Sequence, residues 1–364
     1  MGTVKPVTDH APPGFAYLNS ILDAELAAGP DAGVQLSISD AGARYDISVG
    51  GNGRAATMTA DTVVPWACSS KPIGAIAFGR AWDAGRLGPD DLVADYLPEY
   101  AAAGKQAVRI RDLLTHTTGV PDPLLNLDTG GAALPSWTEL EPMIWAVITA
   151  AEPVQPPGTA MSYNPISNWF TLDRVLAAVN GGAPGDSYRT TCRLLGLSAT
   201  LGTAELDPAV TVRCVATPDE EVGLSRMSVA AAQPLPGTGV WGTMRDLRAV
   251  GEALLGRTAA DPLLAPATIE AMTSTHWLGQ SRRVLSTTDF DYGLGFMTLP
   301  HLFGKKCSFR TYGHAGGNNS TLLVDPQWDM VIAVYWNCRL SDVRAVTRRV
   351  ALVDAIYSDL RARR

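Results

Sequence analysis

Alternating apolar and polar residues occur near both ends of this chain, whereas the long stretch between them has helical patterns. GVQLSISDAGARYDISVG, residues 33–50, alternates on both sides of SDAGA, which is typical of two strands joined by a hairpin turn. STLLVDPQWDMVIAVYWN, residues 320–337, alternates around the turn DPQWD, and an amphipathic helix follows at 341–360. Strands at both ends with helices between them predict an α+β fold (an α/β sandwich). Its antiparallel sheet is formed from both chain ends, with flanking helices and a mainly helical inserted subdomain.

Between about residues 88 and 285, short helical segments alternate with loops that contain Pro and Gly. The predicted helices are GPDDLVADYLPEY, RIRDLLTHTTGV, WTELEPMIWAVITAA, NPISNWFTLDRVLAAV and TMRDLRAVGEALLG. A chain of 364 residues fits one large unit with an inserted subdomain. We therefore predict a single domain over residues 1–364. Its α/β part covers about 15–85 and 286–364, and its helical part about 86–285.

The charge distribution, the apolar runs and the cysteines argue against several classes of partner and site. The net charge of −7 comes from interspersed acidic and basic residues, which argues against nucleic acid as a partner. The N-terminal residues predict neither a signal peptide nor an anchor, and no apolar run predicts a membrane span. Five widely spaced cysteines without a CxxC pair predict neither a disulfide framework nor a zinc site. We expect a cytoplasmic protein that uses no metal and no cofactor and acts on small-molecule or peptide-like partners, with its oligomeric state left open.

The segment PWACSSKPIG, residues 65–74, contains the first candidate for chemistry. If a helix begins at Ser69, Cys68 lies at its N-terminus and Lys71 lies one turn further on the same side. Helix N-terminal amides and a neighbouring ammonium both favour a thiolate, so this pair is typical of an activated nucleophile. Such a short pattern also occurs where a small cysteine merely starts a helix.

Six segments, in order, distinguish these alternatives. They are DTVVPWACSSKPIGAIA, RAWDAGRLGPDDLVADYLPEY, VRIRDLLTHTTGVPD, GTGVWGTMRDLRAVGEALL, YGLGF and YGHAGGNNSTLLVDPQWDMVIAVYWN. Together they resemble the superfamily of class C β-lactamases and penicillin-binding-protein-like serine hydrolases, over about residues 15–355. This superfamily includes esterases, D-aminopeptidases, transacylases and peptide-cyclising thioesterases. The resemblance implies a β-lactamase/transpeptidase-like fold in which Cys68 replaces the nucleophilic serine.

The segment MSYNPISNWF, residues 161–170, stands where the family has Y-x-N. The resemblance implies that Tyr163 is the general base, with the pKa of its phenol kept low by Lys71. The motif departs from the family here, because Asn164 follows the tyrosine directly and Pro165 occupies the asparagine position. Asn164 and Pro165 also suit the start of the next helix, so whether Asn164 or Asn168 faces the substrate is left open.

The third candidate is His314–Ala315–Gly316, the counterpart of the family's K/H-x-G strand. The resemblance implies that this strand lines the pocket and that His314 tunes the tyrosine. The oxyanion hole would combine the amide of Cys68 with that of Gly317 or Asn318. Further substrate contacts are expected from Gly316 and Trp241.

The remaining histidines and several tryptophans are assigned no chemistry. His116 belongs to a motif that is a structural turn in the family, and three other histidines lack a partner motif. Core packing is expected for most of the tryptophans, although four could line an aromatic pocket. These residues are His10, His276 and His301, and Trp66, Trp169, Trp241 and Trp336.

These features predict an acyltransferase that forms a thioester on Cys68 and passes the acyl group to an amine, plausibly in natural-product biosynthesis. A thioester reacts readily with amines, so the sulfur shifts the expected outcome from hydrolysis towards transfer. The alternatives are a hydrolase of the esterase, amidase or D-aminopeptidase type, and a non-catalytic ligand-binding homologue. The sequence also leaves open an engineered serine-to-cysteine replacement at position 68.

Overall fold

The structure, a computed structural model, describes residues 11–27, 32–125, 135–216, 232–257, 262–279, 290–317 and 319–363. The helices are α1 (Ala16–Leu26), α2 (Lys71–Asp83), α3 (Val93–Tyr96), α4 (Ile110–Leu114), α5 (Trp137–Ala150), α6 (Ser167–Asn180), α7 (Asp186–Leu194), α8 (Met244–Leu254), α9 (Pro266–Thr273) and α10 (Asp342–Arg361). The strands are β1 (Gly33–Asp40), β2 (Ala43–Gly50), β3 (Val64–Pro65), β4 (Thr200–Leu201), β5 (Val215–Ala216), β6 (Val240–Gly242), β7 (Tyr312–Ala315), β8 (Ser320–Asp325), β9 (Met330–Trp336) and β10 (Cys338–Arg339).

The main sheet combines strands from the two chain ends. Its order is β2-β1-β9-β8-β7, and each neighbouring pair is antiparallel. The two predicted hairpins are present, and the join between the chain ends is the pairing of β1 with β9. The predicted α+β fold with a sheet built from both ends is therefore confirmed.

Helices cover both faces of this sheet. Val34, Leu36 and Ile38 of β1 share an apolar core with residues of α1 and α10. The alternate residues of β1 are polar but equally buried, because α8 lies over them. The Met244 amide donates to Gln35 Oε1 at 2.6 Å, and such contacts replace the water that these polar groups lose. The sequence-based division at residue 285 placed α8 in the helical part, whereas α8 packs on the sheet.

The central region contains the predicted helices, with some differences in length. α5, α6 and α8 fill most of their predicted segments, whereas α3 and α4 are short. α4 ends before His116, whose φ of 58° lies in the left-handed region and interrupts the helical path. α2 is almost wholly buried, as its apolar spacing predicted. The helices α1, α7 and α9 were not predicted.

Two further observations concern the whole of the described chain. Within the ranges given above, no helix combines the length and apolar character that a membrane span needs. The five cysteines are free thiols.

Candidate active site

Cys68 lies in a single 3-10 turn, Ala67–Ser70, that leads directly into α2. Ala67 has a φ of 45°, a left-handed conformation that residues with a side chain adopt at a cost. A 2.9 Å hydrogen bond from the Ser69 amide to the Trp66 carbonyl closes the turn. Cys68 is partly exposed, whereas its two neighbours in the turn are buried. The turn therefore holds the sulfur where a substrate can reach it, two residues further from the start of the α-helix than predicted.

Lys71 is completely buried behind Cys68. Its Nζ atom donates to the carbonyl oxygens of Pro165 at 3.1 Å and Gly237 at 3.0 Å, and it also hydrogen-bonds with Cys68. Burial lowers the pKa of the Lys71 ammonium, and the Cys68 sulfur opposes this shift. A buried ammonium with fixed acceptors and a sulfur neighbour can exchange a proton with that sulfur.

Tyr163 also forms a hydrogen bond with Cys68. The Lys71 Nζ atom is 5.7 Å from the centre of the tyrosine ring. Burial and the neighbouring sulfur both raise the pKa of the Tyr163 phenol well above its usual range. The sequence-based expectation of a low phenol pKa is therefore wrong, because loss of hydration and the neighbouring sulfur both disfavour the phenolate. The resting side chain is a neutral phenol that can donate a proton.

Strand β7 packs against the Cys68 turn. Ser69 Oγ donates to the His314 carbonyl oxygen at 3.0 Å, which joins the turn to the strand. A Cβ atom on Gly316 would lie 2.3 Å from Ser320 Oγ and 2.7 Å from the Trp66 carbonyl oxygen, so only glycine fits there. This close contact places Gly316 beside the Cys68 turn, as expected for a strand that lines the pocket.

The predicted oxyanion hole stays a prediction. Gly317 is exposed at the end of β7, and its carbonyl oxygen accepts a 2.8 Å hydrogen bond from Arg339. Asn318 lies outside the described residues. The Gly316 amide donates to the Ser320 carbonyl oxygen at 2.8 Å, so it is not the second donor of such a hole.

Three buried side chains, His116, Tyr292 and His314, form a hydrogen-bond network next to Tyr163. Tyr292 Oη lies 2.7 Å from His314 Nε2 and 3.4 Å from His116 Nε2. The His116 ring lies 4.5 Å from the Tyr163 ring, centre to centre, and is tilted by 52° to it. Burial lowers the pKa of both imidazoles well below their usual range, so both are neutral. Sequence reasoning treated His116 as a structural turn and missed Tyr292, although YGLGF was among the matched segments.

Asn164 and Asn168 are both buried and bonded to the protein. Asn164 Oδ1 accepts hydrogen bonds from Ser167 Oγ at 2.7 Å and from the Asn168 amide at 3.1 Å. Asn168 Nδ2 donates to the Leu113 carbonyl oxygen at 3.1 Å. Neither amide is presented to a substrate in this structure, which corrects that expectation. Because Pro165 directs the chain into α6, the asparagines hold the start of the helix instead.

Asp122 supports the same segment. Its Oδ2 accepts the backbone amides of Ile166 at 2.8 Å and Ser167 at 3.3 Å, and its Oδ1 accepts that of Leu124 at 3.0 Å. These bonds satisfy amides at the start of α6 that lack helical partners. The carboxylate thereby fixes the loop that carries Tyr163 and Pro165.

The tryptophans differ in exposure. Trp66, Trp169 and Trp336 are buried in apolar cores, as expected for packing residues. The Trp169 ring also lies 5.6 Å from the Lys71 Nζ atom, which favours the ammonium form. Trp241 is partly exposed on β6, paired with Pro65 of β3 just before the Cys68 turn. This placement keeps Trp241 a candidate for substrate contact.

Comparisons with known proteins agree on the fold. A family model described as "Beta-lactamase" matches residues 21–355. A "Putative D-alanyl-D-alanine carboxypeptidase" of Escherichia coli (strain K12) is 26% identical in an alignment of 292 residues, and the match covers 72% of this chain and 65% of that protein. The chain therefore spans less than two thirds of the length of this curated relative.

Two solved structures superpose closely. A penicillin-binding protein homolog from Caulobacter crescentus has a TM-score of 0.78 and 23% identity, covering 98% of this chain and 100% of that one. EstCE1, described as a hydrolase with promiscuous acyltransferase activity, has a TM-score of 0.78 and 20% identity, covering 94% of this chain and 98% of that one. At these identities the matches establish a shared fold.

Proposed function

The chain belongs to the beta-lactamase family, and from this premise we propose that it is an acyltransferase with a covalent acyl-enzyme on Cys68. The observation that carries the proposal is the convergence of Lys71 and Tyr163 on one partly exposed sulfur. The donor would be a small or peptide-like ester, thioester or amide, and the acceptor an amine. No cofactor takes part in this proposal.

The first half-reaction forms the thioester. The Cys68 proton passes to the neutral amine form of Lys71, which becomes the ammonium, and the thiolate attacks the donor carbonyl. As the S–C bond forms and the bond to the leaving group breaks, the Tyr163 phenol gives its proton to the leaving group. The resulting phenolate lies beside the Lys71 ammonium, which offsets its charge.

The second half-reaction returns the enzyme to its starting state. The acceptor amine attacks the thioester carbonyl, and the Tyr163 phenolate removes the proton that the amine loses. The N–C bond forms, the S–C bond breaks, and Cys68 leaves as a thiolate, which takes its proton back from the Lys71 ammonium. Transfer is favoured over hydrolysis because thioesters react faster with amines than with water.

Intact-protein mass spectrometry tests the proposal. The protein is incubated with a panel of thioesters, methyl esters and β-lactams, with and without an amine. We expect an acyl adduct on Cys68 that disappears when amine is added, with formation of the amide. The Cys68→Ala variant should form no adduct, whereas Cys338→Ala, which removes another partly exposed thiol, should behave like the native protein. Absence of the adduct, or full activity of Cys68→Ala, would contradict the proposal.

Hydrolysis is the second candidate. The names of the carboxypeptidase relative and of EstCE1 support it, because both include hydrolysis, although EstCE1 is also described as having promiscuous acyltransferase activity. A hydrolase would release free acid from the Cys68 adduct even with excess amine, so analysis of the products separates the two. The Cys68→Ser variant should shift the products towards acid, because its oxyester is less reactive with amines.

A further inference from the structure

Tyr292 joins two histidines that lie on different elements of the fold. The three side chains are buried, with exposures of 1% for His116, 0% for Tyr292 and 1% for His314. His116 follows α4 and contacts the Tyr163 ring, whereas His314 lies on β7 beside the Cys68 turn. The Tyr292 hydroxyl is bonded to both, and its backbone is held by reciprocal hydrogen bonds with Trp277, each 2.9 Å long.

The contacts at each end determine which nitrogen of each ring carries the proton. The Asn164 amide donates to His116 Nδ1 at 3.1 Å, so Nδ1 carries a lone pair and the proton of the neutral ring is on Nε2. His314 Nδ1 lies 2.9 Å from the Ala315 carbonyl oxygen, which only accepts, so Nδ1 carries the proton there. His314 Nε2 must then accept a hydrogen bond.

These assignments give the network one direction. The Tyr292 hydroxyl donates to His314 Nε2 at 2.7 Å and accepts from His116 Nε2 at 3.4 Å. The chain of donors therefore runs from the Asn164 amide through His116, Tyr292 and His314 to the Ala315 carbonyl oxygen. Only a group that both donates and accepts can occupy the central position.

We infer that Tyr292 is a positioning residue for the acyl-transfer site, whose hydroxyl bridges the opposite tautomers that Asn164 and Ala315 impose on His116 and His314 and thereby holds Tyr163 in register with β7. Asn164 directly follows Tyr163, and Ala315 directly precedes Gly316, so the chain of donors connects the Tyr163 segment with the strand beside the Cys68 turn. Neither imidazole has a proton available for the reaction, so both act through Tyr163 and the strand. This role rests on the proposed function.

Nitrogen NMR of histidine-labelled protein tests the tautomers without any substrate. In the native protein we expect one neutral ring protonated on Nε2 and one on Nδ1, assigned with His116→Gln and His314→Gln. In Tyr292→Phe, the His314 proton should stay on Nδ1, because Ala315 still accepts it, but the Nε2 resonance should shift, since Nε2 loses its donor. An unshifted Nε2 resonance would show that the Tyr292 hydroxyl does not donate to it. A native His314 with its proton on Nε2 overturns the inference, and this measurement needs no variant of Tyr292.

Kinetics supply the second readout. In Tyr292→Phe, kcat for acyl transfer should fall by about ten- to a hundredfold with little change in KM, because a small displacement of Tyr163 affects the reaction more than binding. Tyr312→Phe is the control, since its hydroxyl makes only a 3.4 Å contact with the Leu254 carbonyl oxygen. An unchanged kcat in Tyr292→Phe, or an equal loss in Tyr312→Phe, overturns the inference. If acyl transfer itself fails, the tautomer result still stands.

Discussion

The Nζ atom of Lys71 donates to the carbonyl oxygen of Pro165 at 3.1 Å, at the position where the family motif has an asparagine. Proline has no side-chain amide, but its backbone oxygen occupies a fixed position at the start of α6. The departure from Y-x-N therefore leaves the lysine with an acceptor. Asp122 and Asn164 hold this loop in place, so the carbonyl remains aimed at the ammonium.

Replacing Lys71 should distinguish an effect on the reactivity of Cys68 from an effect on folding. In Lys71→Met, the rate of Cys68 acylation should fall about a hundredfold or more, because the thiol loses its proton acceptor and the thiolate its countercharge. Lys105→Met is the matched control. Lys105 is also buried, and it donates to the carbonyl oxygens of Ala102, Thr149 and Ala151 at 2.6–2.8 Å, away from Cys68.

We expect Lys105→Met to lower the free energy of unfolding by about 1–3 kcal/mol, since it leaves carbonyl groups without a donor. Its acylation rate, followed by quenched mass spectrometry, should stay native. Similar losses of acylation rate in the two variants would show that Lys71 has no special relation to Cys68.

Tyr163→Phe should affect the two half-reactions unequally. The adduct on Cys68 should still form with a good leaving group, because a thiolate needs little help from a base. Transfer to the amine should slow by about 10²–10⁴-fold, the usual contribution of a general base. The measurement compares the rate of adduct formation with the rate at which amine removes the adduct. Native rates for both steps would exclude Tyr163 from the chemistry.

Gly316→Ala should damage the site through a steric clash. The new Cβ atom would lie 2.3 Å from Ser320 Oγ and 2.7 Å from the Trp66 carbonyl oxygen, so β7 or the Cys68 turn must move. We expect a loss of about 1–3 kcal/mol in the free energy of unfolding and slower acylation of Cys68.

Gly88→Ala provides the control for this change. Its nearest neighbour, Asp91 Oδ1, would be 3.7 Å from the new atom, which is ordinary contact. Denaturant unfolding should show it within about 0.5 kcal/mol of the native protein. Equal stability of Gly316→Ala and Gly88→Ala would mean that β7 does not pack against the Cys68 turn as closely as described.

Asp173 should make stability depend on pH. Burial raises the pKa of this carboxyl from 3.8 to about 7. Its Oδ2 accepts the Gly185 amide at 2.6 Å, and Oδ1 has no hydrogen-bond partner among the described residues. The native state therefore binds the proton more tightly than the unfolded chain does. Stability falls as pH rises from about 4 to 7, by up to about 4 kcal/mol.

Asp173→Asn should lose this pH dependence, because an uncharged amide can still accept the Gly185 hydrogen bond. The measurement is the free energy of unfolding at pH 4.5 and pH 8. Asp23→Asn, which changes an exposed carboxylate of α1, should keep the native pH dependence. The prediction fails if Asp173→Asn loses as much stability between the two pH values as the native protein.

Local patterns were sufficient for much of the fold and for part of the site. The hairpins at both ends were predictable because side chains alternate along a strand, and the buried helix α2 because Ile73 and Ile76 recur at helical spacing. Cys68 and Lys71 are three positions apart in the chain, so their proximity follows from a single helical turn. The contact of Tyr163 with Cys68 was expected only from the family resemblance, since nothing local connects two residues so far apart.

Other features depended on contacts that no local pattern contains. The phenol pKa of Tyr163 was predicted in the wrong direction, because the sequence shows the lysine but not the loss of water around the ring. Asn164 was expected to face a substrate or cap a helix, and its burial decided between these roles. In a strand with one apolar face, the alternate polar residues Gln35, Ser37 and Ser39 would face solvent. In the structure α8 buries them.

By itself, the sequence determined the two hairpins and the last helix, the buried helix α2 that follows the nucleophile, and the residues available for chemistry. These depend on neighbours within a few positions, where backbone geometry alone sets which side chains face the same way. Only the tertiary structure decided the protonation states of the buried side chains and their contacts with residues distant in sequence. His116 and Tyr292 are 176 positions apart, so their contact forms only when the chain folds. The folded core then excludes water from both side chains.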